Sequence, residues 1–85
     1  MFQKVTFVKP LENYELLVKF QSGEEKKYDI KPWFEKQPIF LDLSDITGLY
    51  KQVKVDIGGY GISWNDRIDL SANELWNNGV ICSIV

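Results

Sequence analysis

The run Tyr14-Glu15-Leu16-Leu17-Val18-Lys19-Phe20 sets apolar side chains at 14, 16, 18 and 20, with Glu15 and Lys19 between them. Side chains of an extended chain alternate between faces, so this spacing describes a strand with one face on a core and the other toward water. A helix would scatter the same four residues around its circumference. A half-buried strand in turn needs neighbours, because its backbone N–H and C=O groups must be paired. The flanking sequence supplies them. Val5, Phe7 and, out of phase, Val8 form a β-rich run that stops at Pro10, which has no N–H to give a ladder. Leu11-Glu12-Asn13 turns into the second strand, Gln21-Ser22-Gly23-Glu24 turns out of it, and Lys26-Lys27-Tyr28-Asp29-Ile30 resumes an extended pattern. Residues 1–30 therefore read as a three-stranded antiparallel meander. The charges of its middle turn and third strand read as a solvated face, or as an edge guarded against other chains.

The remainder is more punctuated. Pro32 favours a helix start, with Asp29 or Lys31 ahead of it and Trp33 and Phe34 as a short apolar turn before Pro38. A second brief helix or 3₁₀ segment is predicted from Ser44 or Asp45, on the stripe Ile46, Leu49, Tyr50 and Val53, with Gly48 opposing a longer one. Val53 to Ile57 alternates, Gly58-Gly59-Tyr60-Gly61 turns, and Ile62-Ser63-Trp64 returns, which is a hairpin. Ser71-Ala72-Asn73-Glu74 matches a capping box, in which Ser71 accepts from the amide of residue 74 and Glu74 reaches back to the cap amide. A helix over 72–77 follows, closed by Asn78-Gly79 in a left-handed conformation. Residues 80–85 are apolar and strand-like, suited to the sheet or to a second copy of the chain. The expected fold class is α+β: a small antiparallel sheet, as a meander and then a hairpin, with two or three short helices in a single domain over 1–85.

Composition excludes more than it assigns. With no histidine, the chain has no Ser-His-Asp or Cys-His catalysis and no histidine pH switch; with Cys82 alone, it has no internal disulfide and no multi-cysteine zinc site. Cys82 reads as a small packing residue in a reducing compartment. The formal charge of -2 comes from 10 basic and 12 acidic residues with no long run of either sign, and Arg67 is the only arginine. Neither direct nucleic-acid binding nor attraction to an anionic membrane is expected. The N-terminal residues lack the apolar stretch of a signal peptide, and no run approaches the roughly 20 residues that span a bilayer, so the expected location is cytoplasmic.

Three constellations invite a functional reading. The glycines at 58, 59 and 61 suggest a phosphate loop, but the third glycine of that pattern would fall at Trp64, and no Lys-Ser/Thr pair follows. Asp56, Asp66, Asp69 and Glu74 offer oxygen ligands without the spacing of a calcium loop, and turn and capping duties account for them. No metal or other cofactor is expected. Three tryptophans, four tyrosines and five phenylalanines are generous for a small core, and aromatics are favoured anchors at protein interfaces. Tyr60, Trp64, Asn65, Asp66 and Arg67 form the candidate partner-binding set, although burial is the expected state of the Trp64 and Trp76 rings.

The segment Val53-Lys54-Val55-Asp56-Ile57-Gly58-Gly59-Tyr60-Gly61-Ile62-Ser63-Trp64-Asn65-Asp66-Arg67-Ile68-Asp69-Leu70 resembles the closing signature of the bacterial domain-of-unknown-function family 2442. Tyr14 to Phe20 before Ser22-Gly23-Glu24, then Tyr28-Asp29-Ile30 and Pro38-Ile39-Phe40, follow that family's order, so the resemblance covers nearly the whole chain. It implies a compact α+β fold with an antiparallel sheet, and no established activity, substrate or cofactor. Some relatives resemble regulators in which the domain precedes a helix-turn-helix; others lie beside small proteins in toxin-antitoxin-like pairs. No helix-turn-helix segment is visible here. The expected function is a non-enzymatic protein-interaction module that binds a protein partner or forms a homodimer. The alternatives are an antitoxin-like or regulatory component that acts on nucleic acid only with a partner, and a small-ligand or metal-binding protein using Asp66, Asp69 and Glu74.

Overall fold

The alternation of residues 14–20 sets the first layer of the structure. The computed structural model describes residues 3–82. Along the chain run β1 (Val5–Pro10), β2 (Glu15–Phe20), β3 (Glu25–Asp29), α1 (Lys31–Lys36), α2 (Asp42–Asp45), β4 (Lys54–Val55), β5 (Gly61–Asn65), β6 (Ile68–Ser71), α3 (Ala72–Asn78) and β7 (Val80–Ile81). Short 3₁₀ turns occupy Glu12–Tyr14, Pro38–Leu41, Tyr50–Gln52 and Ile57–Gly59. A four-stranded antiparallel sheet has the order β1-β2-β3-β7, and a three-stranded antiparallel sheet the order β4-β5-β6. The expected α+β class, the meander and the β4–β5 hairpin are all present.

Leu16, Val18 and Phe20 of β2 are buried, as are Tyr28 on β3 and Ile30 just after it. The misfit of Val8 with Val5 and Phe7 has a plain cause: a bulge between Val5 and Phe7 switches the phase of β1. Val5 is thereby buried and Phe7 turned outward, where Lys19, its cross-strand partner, holds its ammonium 5.1 Å from the ring centroid. Ile62 and Trp64 of β5, Ile68 and Leu70 of β6, and Ala72 and Leu75 of α3 close the core from the other side. Burying a Leu, Ile or Phe side chain contributes about 1.5–3 kcal/mol, so this cluster is the main source of stability.

Four expectations need correction. The stripe from Ile46 to Val53 does not form one helix: α2 starts earlier, at Asp42, and ends where Ile46 turns extended, and Gly48 then takes φ +85°. Ile46 is half exposed, while Leu49 alone of the stripe is buried. Gly79 closes α3 at φ -75°, not in the left-handed region. Glycine is needed there for space, since a Cβ would stand 2.6 Å from the Leu75 carbonyl oxygen. Nor are the charges of β3 all solvated. The alternation that buries Tyr28 also turns Lys26 inward, to 7% exposure, where its Nζ donates to the Trp76 carbonyl and lies 3.9 Å from the Trp76 ring centroid. A cation at the C-terminal end of a helix meets the free carbonyls there, which is how Lys26 is accommodated without a carboxylate. Finally, β3 is not an edge, because Lys26 and Lys27 pair with Ile81 and Val80. Of the strand-like run 80–85, Val80 and Ile81 thus join the sheet, and residues 83–85 lie outside the described residues.

Candidate functional site

The five candidate interface residues do not share one surface. Tyr60 precedes β5, and Asn65, Asp66 and Arg67 follow or end it, so the length of the strand, roughly 17 Å, separates them. At the far end, Asn65 Oδ1 accepts from the amides of Arg67 at 2.9 Å and Ile68 at 3.0 Å, which pins the tight turn into β6. Asp66 and Arg67 are exposed at its tip. Trp64 lies in the core at 4% exposure, its Nε1 donating to the Tyr50 carbonyl at 3.0 Å. The expected burial of that ring is met, and four of the five residues present surface.

The other end of β5 carries the more exposed apolar group. Ile57 is 99% exposed and Tyr60 60% exposed, with the Lys4 ammonium 5.7 Å from the Tyr60 centroid. Gly59 holds this loop close to the body: at φ +76°, a Cβ on it would stand 2.7 Å from the Val5 carbonyl oxygen. The glycines of 58–61 serve a tight, closely packed turn. The loop is therefore set against β1, with Ile57 and Tyr60 at its surface.

A second arrangement escaped the sequence reading. An open cleft of about 840 Å³ lies between α1, β3 and the α3–β7 segment. At its heart Tyr28 Oη donates to Glu74 Oε2 at 2.7 Å and accepts from Trp33 Nε1 at 2.7 Å. Asn78 Nδ2 donates to the same Glu74 oxygen at 2.9 Å. Half of the capping box forms as expected, with Ser71 Oγ accepting from the Glu74 amide at 3.1 Å, while the Glu74 carboxylate is drawn to Tyr28 rather than to the cap amide. Trp33 stacks on Phe40, 5.2 Å between centroids. Burial raises the Tyr28 phenol above its ordinary range; Trp33 opposes this and the Glu74 carboxylate adds to it. No short-range spacing announces the network, because 46 residues separate Tyr28 from Glu74.

A family model described as "Protein of unknown function (DUF2442)" matches residues 5–80, from the first residue of β1 to the first of β7. The chain belongs to the DUF2442 family. No curated protein and no solved structure matches it. The span shared with the DUF2442 family includes the apolar tip at 57–60, the turn at 65–67 and the Tyr28-Trp33-Glu74 network. In this DUF2442 chain Asp56, Asp66, Asp69 and Glu74 are dispersed. Asp56 accepts from Ser63 Oγ at 2.6 Å, Asp66 sits on a turn, Asp69 faces out from β6, and Glu74 lines the cleft. Among the described residues no group of three His, Cys, Asp or Glu side chains is placed to hold a metal ion. Also among them, no helix is long and apolar enough to cross a membrane.

Asp29, on the rim of the cleft, is half exposed; its burial works against ionisation, yet hydrogen bonds from the Lys31 side chain and amide hold its carboxyl below the usual range. A further anchor lies opposite, where Tyr50 Oη donates between the Glu15 carbonyl at 2.5 Å and the Leu11 carbonyl at 3.2 Å. Burial, with the Leu11 bond opposing and the Glu15 charge adding, pushes the Tyr50 phenol up to about 12. Both tyrosine hydroxyls are thus neutral donors at physiological pH, committed to groups of the protein itself.

Proposed function

We propose that this DUF2442 chain is a non-enzymatic interaction module that binds a protein partner through the tip between β4 and β5, in a bacterial cytoplasm. The observation that carries the reading is Ile57, 99% exposed and next to the half-exposed ring of Tyr60 on a loop packed against β1. A β-branched apolar side chain so placed adds nothing to the core, and an aromatic neighbour is the usual companion of an interface anchor. The chemistry of the cleft supports binding over catalysis. Its tyrosine proton is held by Glu74, and a phenol raised by burial is a weak base and a weak nucleophile near neutrality.

The test is affinity capture from the native host with the wild-type chain and an Ile57→Asp variant as paired baits. A defined partner retained by the wild type and lost with Ile57→Asp is expected. Recovery of the same partner by both baits would remove the tip from the interface. No partner for either bait would end the reading.

A further inference from the structure

We infer that β7 is a self-association edge: two copies of the chain pair β7 against β7, antiparallel, about a two-fold axis at Ile81, so that their four-stranded sheets become one. This extends the interaction reading and does not use the β4–β5 tip, which packs on β1 at the opposite edge of the sheet.

A free strand edge recruits further strands unless something blunts it. Among the described residues the other sheet edges are blunted. β1 carries Lys9, Pro10 and the bulge after Val5; β4, as short as β7, includes Lys54; β6 includes the exposed Asp69. β7 has no charge, no proline and no bulge, and its Val80 and Ile81 are 70% and 56% exposed.

Which backbone groups are free follows from the ladder. The Cys82 amide donates to the Glu25 carbonyl at 3.0 Å, while Ile81 and Val80 stand opposite Lys26 and Lys27. In an antiparallel pair, hydrogen-bonded and non-hydrogen-bonded positions alternate, so the N–H and C=O of Ile81 point away from β3. A two-fold axis at that residue lets each Ile81 amide reach the Ile81 carbonyl of the other copy, and sets Val80 beside Cys82 of the other copy. The charges favour a second copy over an arbitrary strand. On the outer face, each row across the joint begins with Lys27 of one copy and ends with Glu25 of the other. With strands about 4.8 Å apart, the two Cα atoms are about 14 Å apart, a gap that both long side chains narrow. On the inner face Ile81 meets Ile81, and Lys26 is withdrawn to the Trp76 carbonyl, so like charges do not meet.

The experiment follows the mass of the full chain by light scattering from about 10 μM to about 1 mM, a range in which a weak strand-to-strand contact registers. A concentration-dependent dimer is expected. Ile81→Pro removes only the outward amide and leaves the bonds to β3, and is expected to raise the dimer Kd at least tenfold, roughly the worth of one or two backbone hydrogen bonds. Ile81→Lys gives the same readout should the proline disturb folding. In a Cys82→Ser background, Ile81→Cys is expected to oxidise to a disulfide-linked dimer, since residues facing each other at such a position have Cα atoms about 5.5 Å apart, within disulfide reach. Phe7→Cys in that background is the control that does not cross-link. A monomer at every concentration overturns the inference, as does a dimer indifferent to the substitutions at Ile81. Neither result touches the β4–β5 tip, whose own test is the Ile57→Asp bait.

Discussion

Ile57 leaves 99% of its surface in water, whereas Tyr28, Trp33, Glu74 and Asn78 spend their polar atoms on one another across the cleft. Both regions are built from residue types that a search for function would single out. In the cleft two aromatics, a carboxylate and an amide tie three separate elements together through their hydrogen bonds. At the tip the Ile57 side chain does little for the fold. Residues of interest for binding are thus better sought where the structure has least use for them.

That contrast can be broken from either side. The largest effect is expected in the core, where Trp64→Ala removes a buried ring and the Trp64–Tyr50 hydrogen bond; stability in urea should fall by about 3–5 kcal/mol. Next is the cleft. Glu74→Ala leaves the Tyr28 hydroxyl and the Asn78 amide without their acceptor, and a loss of about 1–3 kcal/mol is expected from the same measurement. A smaller effect belongs to Tyr50 and appears only in alkali. Its folded pKa is raised, so the stability contributed by its hydroxyl is fully present below the ordinary value of 10.0 and is lost as pH rises through about 12. Chemical denaturation across that window should show the loss, and Tyr50→Phe should remove this part of the pH dependence. The smallest change in stability, within about 0.5 kcal/mol, is expected for Ile57→Asp. A strongly destabilised Ile57→Asp, or an indifferent Glu74→Ala, would undo the comparison.

The meander was legible because strand alternation is a local signal: Leu16, Val18 and Phe20 declare their face within seven residues. So was the Ser71 cap, whose partner lies three residues away. What could not be read depends on distant partners. Lys26 looks like any surface lysine until the end of α3 is brought over it, and Glu74 looks like the second half of a capping box until Tyr28 competes for its carboxylate. β6 was overlooked because Asn65 to Arg67 read as a turn without a following strand, although Ile68 and Leu70 do alternate with Asp69. Of the candidate set, Tyr60, Asn65, Asp66 and Arg67 are exposed as a surface would require, but their separation along β5 depends on where the turns fall.

The bond from Lys26 to the Trp76 carbonyl, spanning 50 residues, also bears on the order of events in folding. The β2–β3 hairpin closes over a short turn, whereas β7 has no strand to pair with, and the end of α3 no Lys26 to meet, until that hairpin exists. Lys26 is then a late latch. Lys26→Met should hasten unfolding and leave the refolding rate nearly unchanged in stopped-flow measurements, as for any contact made after the transition state.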